Sequence, residues 1–280
     1  MELFYRAQEG IDQCISSQRF TISHLRPGIR TLKIHVHDCY EIYYSIAGGK
    51  EFFIGDQYYD IRPHDIFFIR PNENHHITQL DDIKHDRINI AIHSRFMERY
   101  STPDTPLAGC FAVPDSRVLN LSPEYQKRFE YLIQKINKAD GFGADLLEDL
   151  YLCEGLIMLS NCLANPDARY RPRNDSSHTT AQAVLKYLND HLTEELSLDR
   201  LSREFFLSPS YLCRLFKKYT GISINKYVAA RRISLATTLM NNGVSPSEVY
   251  EQVGFNNYNN FFKTFVDIVG TSPKNYMKYD

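Results

Sequence analysis

Two stretches of this chain repeat one pattern, and the repeat constrains the fold more than any other feature. Leu198 to Lys218 reads as a short helix, a turn at Phe206-Leu207-Ser208, and a second helix carrying Leu212 and Phe216 four residues apart. Ser247 to Val266 reads as a short helix, a turn at Gly254-Phe255-Asn256, and a second helix carrying Phe261 and Phe265 at the same spacing. Residues four apart share one face of an α-helix, so each pair locks its helix inward and leaves the opposite face outward. Phe216 and Phe265 are 49 residues apart, room for one bridging helix. Two helix-turn-helix units in tandem fit two successive major-groove segments ~34 Å apart on one side of a DNA duplex.

The rest of the carboxy-terminal hundred residues agrees. Ala183, Val184, Tyr187, Leu188 and His191 form one apolar stripe, and Ser197, Ser208-Pro209 and Ser245-Pro246 are helix-start signals. A longer helix is expected from about Ile224 to Met240, ending at Asn241-Asn242-Gly243. The helix-turn-helix units are placed at about 198–219 and 247–269, with Leu215, Tyr219 and Val269 completing the inward faces.

The amino-terminal part has period two. Tyr40-Glu41-Ile42-Tyr43-Tyr44-Ser45-Ile46, Glu51-Phe52-Phe53-Ile54, Gln57-Tyr58-Tyr59-Asp60-Ile61, Asp65-Ile66-Phe67-Phe68-Ile69 and Arg87-Ile88-Asn89-Ile90-Ala91-Ile92 are separated by Gly, Pro and Asn turns. Short strands at this spacing predict an antiparallel barrel or sandwich. From Ser122-Pro123 the period becomes helical, with Phe129, Leu132, Ile133 and Ile136 on one stripe. A second helix opens at Asp145 and carries Leu146, Leu147, Leu150, Leu156, Ile157 and Leu163. Residues 166–179 are polar and rich in turn formers, so they read as a linker between a domain at 1–165 and another at 180–280.

Charge follows the same division. Residues 181–280 hold 12 Lys and Arg against 9 Asp and Glu, whereas the rest of the chain holds 20 against 25. A basic carboxy-terminal part on an acidic body points to an anionic partner for the former. Hydrophobic residues at 43% exclude a disordered chain. No uncharged run reaches the ~18 apolar residues of a membrane span, and Met1-Glu2-Leu3-Phe4 does not open a secretory signal. The expected location is cytoplasmic, with no membrane partner. Six cysteines without a C-x-x-C pair read as reduced thiols.

Residues 180–280 resemble the DNA-binding domain of the AraC family of bacterial transcription regulators. The resemblance is carried by Leu198-Asp199-Arg200-Leu201-Ser202, Ser208 to Lys217, Arg231-Arg232-Ile233, Val253-Gly254-Phe255, Phe261 to Phe265, and Gly270-Thr271-Ser272-Pro273 with Tyr276. It implies base-reading positions at Ser210, Cys213 and Arg214 in the first unit, and at Tyr258, Asn259 and Lys263 in the second. Tyr211, Asn257 and Asn260 join the expected DNA-binding set. Arg214 offers a planar fork for guanine O6 and N7, and Asn259 or Asn260 suits adenine N6 and N7. Lys217 and Lys218, with Arg203 and Lys226, suit phosphates. Phe262 and Val266 stand where the family usually has polar residues.

His35-Val36-His37 with Glu41, followed later by His75-His76, is also the ligand pattern of metal-binding cupins, and residues 20–95 resemble the cupin-like sensor of AraC-type regulators. Three readings of these groups stand: a pocket for a polar metabolite, satisfied groups at strand ends, or a metal site. The expectation adopted is the pocket, formed by Arg30, His35, His37, Glu41, Tyr43, His75, Arg87 and Asn89 among aromatics such as Phe53, Tyr58 and Phe67, without metal or cofactor. The resemblance implies a ligand-responsive regulator whose effector is a small polar metabolite such as a sugar. It implies an arm at residues 1–19, dimerisation through the helices at 122–165, promoter DNA and RNA polymerase as partners, and no enzymatic activity. The rival reading is a cupin metalloenzyme with a helical accessory domain, using His35, His37, Glu41 and His75 or His76.

Overall fold

The structure is a computed structural model that describes residues 14, 17–25, 37–49, 51–55, 57–71, 73, 75–77, 86–112, 117–164, 169–170 and 179–277. Among the described residues the amino-terminal part holds nine strands: β1 (Phe20–Leu25), β2 (Cys39–Ser45), β3 (Glu51–Ile54), β4 (Gln57–Asp60), β5 (Asp65–Ile69), β6 (His75–Ile77), β7 (Arg87–His93), β8 (Val118–Asn120) and β9 (Arg169–Tyr170). They form two antiparallel sheets, one in the order β1-β7-β2-β5-β8-β9 and one in the order β4-β3-β6. The expected closed barrel is therefore corrected: among the described residues no ladder joins the two sheets.

Alternation along β2 decides what each sheet face meets. Ile42 and Tyr44 point to one side, where Ile66, Phe68, Ile88, Ile90 and Ile92 share a core with two helices, α3 (Pro123–Lys138) and α4 (Ala144–Ala164). Tyr43 points to the other side, into a core with Phe52, Ile54, Tyr59, Phe67, Ile69 and Ile77 between the sheets. Two shorter helices, α1 (Ser94–Tyr100) and α2 (Gly109–Ala112), were not foreseen; both bury their few apolar residues against the first of these cores. β9 falls inside the stretch expected as linker and pairs with β8.

The carboxy-terminal part is all helical: α5 (Thr179–Asp190), α6 (Leu198–Phe205), α7 (Pro209–Thr220), α8 (Ile224–Asn241), α9 (Pro246–Gln252), α10 (Tyr258–Val269) and α11 (Pro273–Tyr276). Side chains of Ser197, Ser208, Ser223, Asn257 and Ser272 accept from the backbone N–H three residues on, so five of these helices start on a side-chain cap. Two cores hold the units. Leu201, Leu212, Phe216, Tyr219 and Tyr227 close the first together with Val184, Leu185 and Leu188. Ile233, Ala236, Met240, Val249, Val253, Phe261 and Phe265 close the second. Along α5 the inward stripe is Ala181, Val184, Leu185 and Leu188, while Ala183 is exposed.

Candidate functional site

Strand geometry gathers a polar group of side chains inside an otherwise apolar space. Glu41 and Tyr43 alternate onto the same face of β2, and the β2–β7 register sets Tyr43 opposite Asn89 and Ser45 opposite Arg87. His37 lies just before β2, and His75 opens β6. Glu41 and His75 are each 2% exposed and His37 7%. A buried carboxylate needs partners, and Glu41 has three. His37 Nε2 lies 2.6 Å and His75 Nε2 3.1 Å from its Oε2, and Asn89 Nδ2 donates to its Oε1 at 2.7 Å. Burial alone would raise the Glu41 carboxyl, but the His75 charge and the hydrogen bonds from both histidines hold it well below the ordinary carboxylate value. Burial likewise pulls His75 down, and Glu41 outweighs it and raises the imidazole.

The imidazoles are fixed from behind. His37 Nδ1 lies 3.1 Å from the Cys39 carbonyl oxygen, and His75 Nδ1 lies 2.9 Å from that of Glu73. Arg87 is buried in the same layer, where burial lowers its pKa. The Tyr43 hydroxyl and Asn89 Oδ1 have no hydrogen-bond partner among the described residues. Of the eight residues expected to form the pocket, His37, His75 and Asn89 each contact Glu41, and Tyr43 and Arg87 share their layer. Arg30 and His35 lie outside the described residues, as does the side chain of His76, and so does the arm apart from Cys14 and residues 17–19.

Phe53 and Tyr58 do not line this space, as the sequence reading had them do. They belong to the opposite face of the smaller sheet and pack into the first helical core, Tyr58 on Tyr219 with ring centroids 4.3 Å apart. The Tyr58 hydroxyl donates to the Tyr219 carbonyl. Asp38, next to His37, accepts from Asn241 Nδ2 at 3.0 Å and from the Tyr276 hydroxyl at 2.8 Å. These contacts between the sheets and the helices were missed because period-two patterning says which residues share a face and not what covers it.

The second helix of each unit offers its polar side to solvent. On α7, Ser210, Tyr211, Arg214, Lys217 and Lys218 are exposed and Cys213 is half-buried. On α10, Tyr258, Asn259, Asn260 and Lys263 are exposed, with Asn257 at the cap. Asn257 Oδ1 is occupied in capping, accepting from Asn260 N at 2.9 Å. Lys218 also lines a crevice with Glu51, Asp60, Gln182 and Tyr219. Phe262 and Val266 project from α10 at 39% and 36% exposure, so the second face is more apolar than the first. Phe206, 94% exposed and left-handed at φ 53°, sits in the first turn, where the sequence places it.

Two family models match the chain: an AraC-like ligand binding domain over residues 20–156 and a helix-turn-helix domain over residues 201–279. Over 96 residues it is 38% identical to YdiP of Escherichia coli (strain K12), an uncharacterized HTH-type transcriptional regulator, the match covering 34% of this chain and 32% of that protein. It is 26% identical over 220 residues to the arabinose operon regulatory protein of Salmonella typhimurium, covering 77% of this chain and 75% of that one. The chain spans less than half the length of several curated relatives it matches. A solved structure, ToxT from Vibrio cholerae, aligns with 93% of this chain and 98% of its own at 14% identity and a TM-score of 0.38. No helix among the described residues is long and apolar enough to cross a membrane.

Proposed function

We propose, from the premise that the chain belongs to the AraC family of transcriptional regulators, that it is a ligand-responsive regulator of bacterial promoters. The tandem helix-turn-helix units contact DNA, and the space between the two sheets receives a small polar effector. The observation that carries this reading is the pair of capped helices, α7 and α10, each held by two buried aromatic or aliphatic side chains and each exposing a polar face. Arg214 is the base reader in the first unit and Tyr258, Asn259 and Lys263 are those of the second, while Lys217 and Lys218 add phosphate attraction. The chain acts through binding and needs no catalysis. A sugar suits the buried groups of the sensing space, since its hydroxyls both donate and accept and would meet the Tyr43 hydroxyl and Asn89 Oδ1.

The test is binding of the full chain to its own upstream DNA. Affinity is expected to fall steeply with salt and to exceed that for bulk competitor by at least ~10³-fold. Arg214→Ala is expected to cost ~1–3 kcal/mol on the specific site and to relax preference at one base pair. An equal loss on random DNA would show that Arg214 contacts phosphate only. For the effector, a thermal-shift series of sugars should raise the melting temperature with one of them; a flat series discards the sugar.

Dimerisation through α3 and α4 is supported by a row of exposed apolar side chains. Leu146, Leu147, Leu150 and Ile157 on α4 are 41–60% exposed, and Tyr131 on α3 is 45% exposed. Leu150→Glu is expected to convert a dimer into a monomer in light scattering, with little change in melting temperature. A dimer that survives this substitution lies elsewhere.

A further inference from the structure

His37 and His75 are oriented alike beside Glu41. A carbonyl oxygen only accepts, so the Cys39 and Glu73 carbonyls fix one ring proton of each imidazole on Nδ1. Each Nε2, the nitrogen left for a second proton or a metal ion, then faces the same carboxylate oxygen. A metal ion in place of those protons would meet three donor atoms gathered at one spot. Such orientation of a ligand histidine by a backbone carbonyl, with Asn89 steadying the far carboxylate oxygen, is the outer-shell arrangement of metal-binding imidazoles.

Spacing and placement agree. One ligand atom from each of His37, Glu41 and His75 lies within 4.8 Å of the others. Bonds of ~2.0–2.2 Å to a single ion join donors up to about 4.4 Å apart, so the set closes on an ion with side-chain movements of a few tenths of an ångström. The three residues come from two different sheets, β2 and its entry in one and β6 in the other. An ion there ties the sheets together where no ladder does.

We propose that His37, Glu41 and His75 bind a divalent first-row transition-metal ion between the two sheets, with the remaining coordination positions left for water or an oxygen-bearing ligand. Two imidazoles and one carboxylate suit iron, manganese, cobalt, nickel or zinc and disfavour calcium or magnesium. This ion lies outside the set of partners expected from the sequence. The site rests on its own geometry, and only its regulatory consequence depends on the reading of the chain as a regulator. That consequence runs through Asp38, which follows His37 and holds Asn241 and Tyr276 of the helical part.

The experiment uses the untagged full chain, stripped with chelator and titrated with cobalt(II) and zinc(II) by calorimetry and by the visible spectrum of bound cobalt. The wild type is expected to take up one ion per chain, and its melting temperature to rise with metal. Glu41→Gln and His75→Ala are expected to weaken uptake by at least ~100-fold, and Asn89→Leu, which removes no ligand, by ~10–100-fold. Far-ultraviolet circular dichroism of each metal-free variant checks that it folds; if the ligand variants do not, Asn89→Leu carries the comparison. Absence of stoichiometric uptake of manganese, iron, cobalt, nickel or zinc by the wild type overturns the site, as does uptake unchanged in all three variants. Promoter binding is measured separately: a chain that binds metal and no DNA keeps the site and loses the regulator, and the reverse result loses the site alone.

Discussion

Phe216→Ala is expected to destabilise the carboxy-terminal part by ~3–5 kcal/mol, the cost of deleting a fully buried aromatic side chain where the surroundings relax only partly. The ring is 1% exposed and stands edge-on to Tyr227, with centroids 5.6 Å apart and planes at 72°. It joins α7 to α6 and α8 through the cluster that also holds Leu201, Leu212 and Tyr219. A domain of this size has a total stability of ~5–15 kcal/mol, so the loss takes a large share of it. Urea denaturation followed by far-ultraviolet circular dichroism measures the effect, and promoter affinity should fall in parallel because α7 no longer holds its face still. A cost below ~1 kcal/mol would mean that α7 is not anchored by this ring.

The second large effect is expected at the turn of the second unit, and a neighbouring glycine supplies its control. Gly254 has φ +88° and Gly243 has φ +89°, both in the left-handed region that side chains avoid. They differ in surroundings. A Cβ on Gly254 would sit 2.7 Å from the Thr193 carbonyl oxygen and 3.0 Å from its carbon, whereas a Cβ on Gly243 meets nothing within 4 Å. Thr193 cannot retreat cheaply, because Arg232 grips the flanking carbonyls of Leu192 and Glu194 at 2.9 and 2.7 Å. Gly243→Ala therefore carries only the backbone strain, ~1–2 kcal/mol, while Gly254→Ala adds a backbone clash and is expected to exceed ~3 kcal/mol in total. Equal midpoints of denaturation for the two variants would show that the turn does not press on the segment around Thr193.

The comparison of sequence with structure follows the range of the forces involved. Helix starts were legible because a serine before a proline or an acid caps its own helix, a contact within three residues, as at Ser197 and Ser208. The pairs Leu212/Phe216 and Phe261/Phe265 were legible because four-residue spacing places both on one side. The inward stripe of α5 was legible only in part: Val184 and Leu188 are buried as expected, but the partner core also takes Ala181 and Leu185 and leaves Ala183 outside. Helix α4 shows the same limit, since it is apolar on more than one side. The sheet takes Leu152, Leu156, Leu159 and Leu163, and leaves Leu146, Leu147 and Leu150 outside. Phe53 and Tyr58 were assigned to the space between the sheets, but the helices cover them.

The change from period two to helical periodicity and the tandem helix-turn-helix spacing were legible in the sequence alone, because periodicity, capping and turn chemistry act within a few positions of the chain. Only the tertiary structure decided that the sheets stay open, that His75 from one sheet meets Glu41 and His37 at the other, and that Asp38 and Tyr58 touch the helices. These are meetings of residues 34 to 238 positions apart. They depend on how buried faces of similar hydrophobicity choose partners, and that choice is made by shape and by the pairing of buried charge, neither of which leaves a periodic trace in the chain.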